Sequence, residues 1–297
     1  MSRTAEEIAT QPECWRRAAR AAVDFDGFPR PGERVAVTGC GTSWFMAIAY
    51  AALREAAGQG ETDAFASSEF PVGRAYDRVV AITRSGTTTE VLELLERLKG
   101  SVPTTALTAD PKTPVMAVAD TVAVLDWADE ESVVQTRFAT TALAFLRAGL
   151  GEVPGVKPVA EAAVDAELAV TEPLADPVVS AEQWTFLGRG WTYGLALEAG
   201  LKMREAAGAW TEAYPAMEYR HGPIAITGPN RVAWVFGAVP EGLAADVAGV
   251  GGQLVADPTG DPLADLIRAQ RLAVALAESR GFDPDRPRNL SRSVILP

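Results

Sequence analysis

The sequence predicts an α/β fold built on parallel sheets, and two observations predict it. Short β-rich apolar runs alternate with amphipathic helical stretches, the order of βαβ units. The order strand, Gly turn, helix, strand then recurs in the second half, the mark of an internal duplication.

Residues 5–25 have helical spacing and helix-forming composition. Arg34-Val35-Ala36-Val37-Thr38 reads as a strand entering Gly39-Cys40-Gly41-Thr42-Ser43, and an Ala-rich helix follows over 44–57. Residues 79–83 form a second strand that runs into Arg84-Ser85-Gly86-Thr87-Thr88 and a helix over 90–98. Strands are expected at 104–107 and 122–125, helices at 136–150 and 159–174. Pro173 and Pro177 break the pattern and set a domain boundary, with residues 1–175 before it and a shorter unit, 176–297, after it. There, strands are expected at 184–187, 232–236 and 253–256, and helices at 192–208, from Glu241, and at 264–279. The second unit is thus one strand poorer, and it ends in a Pro/Arg-rich tail.

With 297 residues, 48% hydrophobic and 22% charged, the chain can build a sizeable core. A net charge of −12 with no Lys/Arg run argues against nucleic acid or an anionic membrane as partner. Small anions remain open, because helix N-termini bind them whatever the net charge. Two cysteines, Cys14 and Cys40, and one histidine leave no set of zinc ligands. No apolar run is long enough to span a bilayer, and the first residues contain no apolar signal core. The expectation is a soluble cytoplasmic protein without metal or cofactor.

Three clusters carry chemistry. Gly39-Cys40-Gly41-Thr42-Ser43, at a strand-to-helix turn, offers close backbone approach and two hydroxyls; the plain alternative is a capped tight turn. It is not G-x-G-x-x-G, so a dinucleotide is not favoured. Thr83-Arg84-Ser85-Gly86-Thr87-Thr88-Thr89 packs five hydroxyls into seven residues at a helix start and makes a good phosphate cradle; the plain alternative is a polar capping loop, which the presence of two such loops in successive βα units weakens. Without Gly-Lys-Ser/Thr it is not a P-loop. The two loops should lie side by side at the carboxyl edge of the sheet, where open α/β sheets bind ligands. In the third cluster, Lys202 and Glu205 share a helical face, and Glu212, Tyr214, Glu218, Arg220 and His221 follow. Taken alone, these read as a surface ion pair and a structural histidine. Trp44 and Trp191 suit core packing or the pocket mouth equally, Cys40 reads as a small buried residue, and the acidic run 126–131 as a solvated loop rather than a metal site, except for its last residues beside the pocket rim.

Taken together, these motifs resemble the SIS (sugar isomerase) family of phosphosugar-binding proteins, and within it the isomerase domain of the glucosamine-6-phosphate synthases. The resemblance runs from Cys40-Gly41-Thr42-Ser43 through Ser68-Glu69-Phe70, Arg84-Ser85-Gly86-Thr87-Thr88, Phe186-Leu187-Gly188-Arg189-Gly190 and Ala196-Leu197-Glu198. It continues with Leu201-Lys202-Met203-Arg204-Glu205, Glu212-Ala213-Tyr214, Arg220-His221-Gly222-Pro223 and Pro287-Arg288-Asn289-Leu290. It implies two flavodoxin-like, three-layer α/β/α SIS subdomains and a homodimer. It maps phosphate binding onto Thr83, Ser85 and Thr88, with Arg84 in the same loop. Cys40, Gly41, Thr42 and Ser43 fall at the sugar, and Val133 and Gln135 at the pocket rim. Glu205 falls on the enolisation base, Lys202 beside it, and His221 on the ring-opening histidine that reaches the neighbouring subunit's site.

The stretch also departs from those synthases. It shows no glutaminase domain and no N-terminal Cys nucleophile, so glutamine hydrolysis by that route is not expected. Where the synthases carry a Schiff-base lysine, this chain has Arg292, which stays protonated and is left to clamp an anion. The expected reaction is therefore enolisation of an amino-sugar 6-phosphate by Glu205, leading to aldose–ketose isomerisation or deamination. The alternatives are elimination (a dehydratase) on N-acetylglucosamine 6-phosphate and a non-catalytic phosphosugar sensor.

Overall fold

The computed structural model describes residues 2–296. Two helices, α1 (Arg3–Ala9) and α2 (Gln11–Ala22), precede β1 (Val35–Gly39), α3 (Thr42–Ala56), β2 (Thr62–Ala66), β3 (Arg78–Ile82) and α4 (Thr89–Leu98). Then come β4 (Thr104–Thr108), α5 (Val115–Val118), β5 (Thr121–Val124), α6 (Arg137–Gly149), α7 (Val159–Thr171) and α8 (Asp176–Val179). The second half contains β6 (Gln183–Gly188), α9 (Thr192–Ala207), β7 (Trp210–Pro215), β8 (Arg231–Phe236), α10 (Leu243–Gly249), β9 (Gln253–Ala256) and α11 (Pro262–Ser279).

The strands form two sheets of five and four, ordered β2-β1-β3-β4-β5 and β7-β6-β8-β9, and every pairing is parallel. Successive side chains of a strand face opposite sides of its sheet, and parallel sheets bury both. Val35, Val37, Val80 and Ile82 accordingly turn into a shared core with Trp184, Phe186, Trp234 and Phe236 of the other sheet. Helices α2, α3, α6, α7, α9 and α11 supply the rest of that core. On the outer faces, Ala36 and Val79 pack under α4, and Leu187, Ala233 and Val235 under α10. Both sheets are therefore covered on two sides, the α/β three-layer arrangement expected.

The residues 5–25 expected as one helix are two. Thr10 ends α1, and Pro12 sits in the first turn of α2, where its missing N–H costs nothing. Strands β2 and β7 were not foreseen. Both are edge strands with half-buried, mixed sequences, Thr-Asp-Ala-Phe-Ala and Trp-Thr-Glu-Ala-Tyr-Pro, which lack the apolar run of a central strand. The ionisable cluster expected around His221 is dispersed accordingly: Glu212 lies on β7 and accepts from the Tyr214 hydroxyl at 2.7 Å, and Arg220 pairs with Asp246 at 2.6 Å.

Two contacts hold the halves together where the site forms. Helix α9 lies against α3 so closely at Gly194 that an added Cβ would stand 2.4 Å from the Phe45 carbonyl oxygen. Behind them, buried Arg147 on α6 forms a two-pronged pair with Asp261 at 2.6 and 3.0 Å, and Asp261 also caps α11. No helix of the described residues is long and apolar enough to cross a membrane.

Candidate functional site

The turns after β1 and β3 meet at one cavity of about 190 Å³ at the carboxyl ends of those strands. Gly39 makes the first turn possible, since a Cβ there would lie 2.6 Å from that of Ser43. Cys40, Gly41, Thr42 and Ser43 all line the cavity, as do Thr83, Arg84, Ser85 and Thr88 from the second turn. Val133 and Gln135, from the loop before α6, and Glu205 of α9 complete its wall with residues 290–294 of the tail. Two buried polar groups here have no partner: the Thr83 hydroxyl and the Gln135 side-chain amide nitrogen. Unpaired buried polar groups cost about 1–3 kcal/mol each, so a pair of them in one cavity marks where a polar ligand belongs.

The hydroxyl cradle is already touched by the protein itself. The Ser293 hydroxyl lies 3.1 Å from Ser85 Oγ, 3.0 Å from Thr87 Oγ1 and 3.4 Å from Thr88 Oγ1. The tail is anchored beside it by the Thr89 N–H, which donates to the Val294 carbonyl at 3.2 Å. Ser293 stands next to Arg292 in sequence, but nothing in a lone serine signalled this position.

Arg84 and Arg292 line the cavity with their donors directed at protein acceptors. The Arg84 guanidinium is buried and donates to the carbonyls of Ser132, Val133 and Arg292, each at 3.2 Å, with Glu130 at 3.5 Å. The Arg292 guanidinium pairs with Asp129 and the Glu130 carbonyl. Arg84 thereby ties cradle, rim loop and tail together. Glu130 is the other end of this tie; it belongs to the end of the acidic run expected beside the pocket rim, but its burial and its role were not foreseen. Its buried carboxylate accepts from the Thr136 and Arg137 amides at 2.7 and 2.6 Å and from Phe138 N at 3.2 Å. It therefore closes the N-terminus of α6, where a negative charge also suits the helix dipole.

The basic group of the site is a triad on one face of α9. Lys202 Nζ is fully buried and donates to Thr42 Oγ1 at 2.9 Å and to Glu205 Oε2 at 2.5 Å. It also lies 3.4 Å from Glu198 Oε1, an ionic contact without hydrogen-bond geometry. The Lys202–Glu205 pair, expected on one face, is thus no surface ion pair. Burial pushes the Glu198 carboxyl up to about 8, against the pull of Lys202. Burial opposes the charge on Lys202, but Glu198 and Glu205 outweigh it and hold its pKa above the usual lysine value. The triad thus sets one buried ammonium against two carboxyl groups, and burial drives that of Glu198 toward its neutral form. Glu198, one turn before Lys202, was seen in sequence only as part of a motif.

His221 ends the turn Glu218–His221, is exposed, and does not line the cavity of its own chain. Trp44 and Trp191 pack against the core instead of the cavity. Burial raises the Cys40 thiol pKa, so the thiol form dominates at neutral pH. Among the described residues no group of three or more His, Cys, Asp or Glu side chains is placed to hold a metal ion.

No protein-family model matches the chain. Over 98% of its length it is 28% identical to the isomerizing glutamine–fructose-6-phosphate aminotransferase of Xylella fastidiosa and 30% identical to that of Caulobacter vibrioides. The chain spans 58% of the length of each of these relatives. In structure it is similar to a glucosamine-6-phosphate deaminase of Thermotoga maritima, with a TM-score of 0.83 at 23% identity over 99% of this chain and 100% of the other. It is also similar to the C-terminal domain of the Francisella tularensis glucosamine-fructose-6-phosphate aminotransferase, with a TM-score of 0.75 at 21% identity over 97% and 98%. A tagatose-6-phosphate ketose/aldose isomerase of Escherichia coli gives 0.73 at 18% identity over 99% and 96%.

Two outcomes are expected from this geometry. Thr83→Val removes an unpaired buried hydroxyl, so stability in chemical denaturation should hold or rise by about 1 kcal/mol, while affinity for a sugar phosphate falls about tenfold. A clear loss of stability would mean that the hydroxyl is partnered within the protein. For Glu198, the folded chain keeps a proton that the unfolded chain releases between its ordinary pKa of 4.5 and about 8, so its contribution to stability declines as pH rises through that window. Glu198→Gln removes that decline. Calorimetry should therefore find the variant gaining on the wild type in Tm from pH 5 to pH 8. A difference independent of pH would contradict the neutral carboxyl.

Proposed function

With the sequence signatures and the fold of the SIS (sugar isomerase) family as premise, we propose that the chain is a phosphosugar enzyme acting on an amino-sugar 6-phosphate by Glu205-mediated enolisation. The observation that carries this reading is one cavity holding both a hydroxyl cradle and a carboxylate fixed by a buried ammonium. The curated relatives and structural neighbours, named for phosphosugar isomerisation, deamination or amination, support it.

The phosphate docks on Thr83, Ser85 and Thr88, in the place Ser293 now touches, and fixes the sugar so that its reacting end meets Glu205. Glu205 takes the proton beside the carbonyl, from C2 of an aldose phosphate or C1 of a ketose phosphate. As its carboxylate is neutralised, Lys202 loses its ion pair with Glu205 and becomes free to stabilise the enediolate oxygen. Thr42, which also holds Lys202, limits how far the ammonium can move. Return of the proton to the neighbouring carbon completes aldose–ketose isomerisation. A free amine at C2 instead permits a ketimine, whose hydrolysis is deamination. His221 serves ring opening in the neighbouring subunit's site of a homodimer, consistent with its exposure here. A buried Lys–Glu pair at the cavity wall is unnecessary for a pure sensor and favours the enzyme.

Proton NMR in D₂O with glucosamine 6-phosphate should show loss of the C2 proton signal with ketose or ammonia formation. Glu205→Gln should lower turnover about 10²–10⁴-fold with ligand affinity kept. A vinylic product from N-acetylglucosamine 6-phosphate would replace isomerisation by elimination. Saturable binding without any chemistry on either sugar would make the chain a sensor.

A further inference from the structure

Beyond Glu205 the structure opens into a second cavity, of about 550 Å³, which none of the expected ligand-binding residues but Glu205 lines. The two cavities meet at Glu205 and at consecutive tail residues, Asn289 lining the second and Leu290 the first. Because Glu205 lines both cavities, a ligand with its reacting carbon at Glu205 has the second cavity within reach of a substituent on that carbon.

That cavity has a distinct charge. Arg204, Arg286 and Arg288 line it, and none of them forms a salt bridge with a carboxylate among the described residues, in a chain of net charge −12. Arg204 donates only to the Thr211 hydroxyl and carbonyl, at 3.0 and 3.4 Å. The Arg288 guanidinium lies over the Phe282 ring, 4.4 Å from its centroid, a stacking that leaves the in-plane N–H donors free to reach a ligand. Two carboxylates share the lining. Glu205 is neutralised by Lys202 at 2.5 Å, and Asp283 accepts from the Asp285 amide at 2.9 Å. Three guanidiniums against one unpaired carboxylate leave the cavity cationic, and planar N–H forks suit a carboxylate better than any neutral group.

We propose that this cavity binds a carboxylate carried on the C2 nitrogen of the phosphosugar, so that the substrate is an amino-sugar 6-phosphate with an acidic N-substituent. The inference rests on the phosphosugar reading and narrows it to substrates with an anion at each end. The cradle takes the phosphate, Glu205 and Lys202 face the reacting carbons, and Arg204, Arg286 and Arg288 hold the far carboxylate. The volume accommodates a substituent of four or more heavy atoms, where an acetyl group would leave the arginines unmet.

Isothermal titration calorimetry of the full chain with N-succinyl-glucosamine 6-phosphate and its neutral isostere, N-succinamoyl-glucosamine 6-phosphate, tests this. The succinyl compound should bind about tenfold more tightly, and the advantage should vanish in an Arg286→Gln/Arg288→Gln double variant. Equal affinities in the wild type, or an advantage that survives in the double variant, would overturn the proposal. Glucosamine 6-phosphate separates the two levels of the argument. If it binds but the succinyl compound has no advantage, only the acidic substituent falls; if no sugar phosphate binds, the phosphosugar reading falls and takes the proposal with it. Free succinate added with glucosamine 6-phosphate is the last arm. Binding as tight as the conjugate's would assign the cavity to a separate anion and overturn the covalent form.

Discussion

The buried ammonium of Lys202 is the constraint on which the rest of the site depends. A lone cation there would carry a desolvation penalty of several kcal/mol, so its surroundings have to supply charge and acceptors. They come from both halves of the chain: Thr42 opens the first helix after β1, and Glu198 and Glu205 lie on the helix after β6. This bond can form only because α9 and α3 approach closely at Gly194. The polar triad on α9 is thus placed against the loops after β1 and β3, and Lys202 joins them through Thr42.

The first half's loops are held by a second tie. Arg84 and Glu130 form a buried pair that fastens the cradle to the rim loop, the start of α6 and the tail. Removing one partner of such a pair leaves an uncompensated charge, a loss of about 3–5 kcal/mol. The same tie reaches the tail through the Arg292 carbonyl and sets Ser293 over the cradle. Ser293 fills the cradle with a neutral hydroxyl, and the cavity beneath the tail holds only about 190 Å³. On the proposed reading a phosphate on the cradle would displace that hydroxyl, so that binding and tail position would be one equilibrium.

The parallel α/β plan was legible because central strands such as Val79–Thr83 are unbroken apolar runs. Edge strands carry no such run, and β2 and β7 stayed hidden for that reason. In the cradle, hydroxyl density at a strand-to-helix turn was a local signal; Thr83, Ser85 and Thr88 line one cavity, and Thr87 and Thr89 do not. What could not be read was which way a charged side chain points. Arg84 and Arg292 looked like anion clamps, and their donors go to carbonyls and carboxylates of the protein. Glu130 stood in the sequence only as one of a run of acids, yet its carboxylate accepts from Arg84, Thr136, Arg137 and Phe138. His221 lies exposed and outside the cavity of its own chain, and its place in the motif gave no sign of that.

The most direct test is a crystal structure with glucosamine 6-phosphate bound. The phosphate should sit on Thr83, Ser85 and Thr88 with Ser293 moved away, and C2 should lie about 3–3.5 Å from a Glu205 carboxylate oxygen. A phosphate bound among Arg204, Arg286 and Arg288, with Ser293 still in the cradle, would contradict the account.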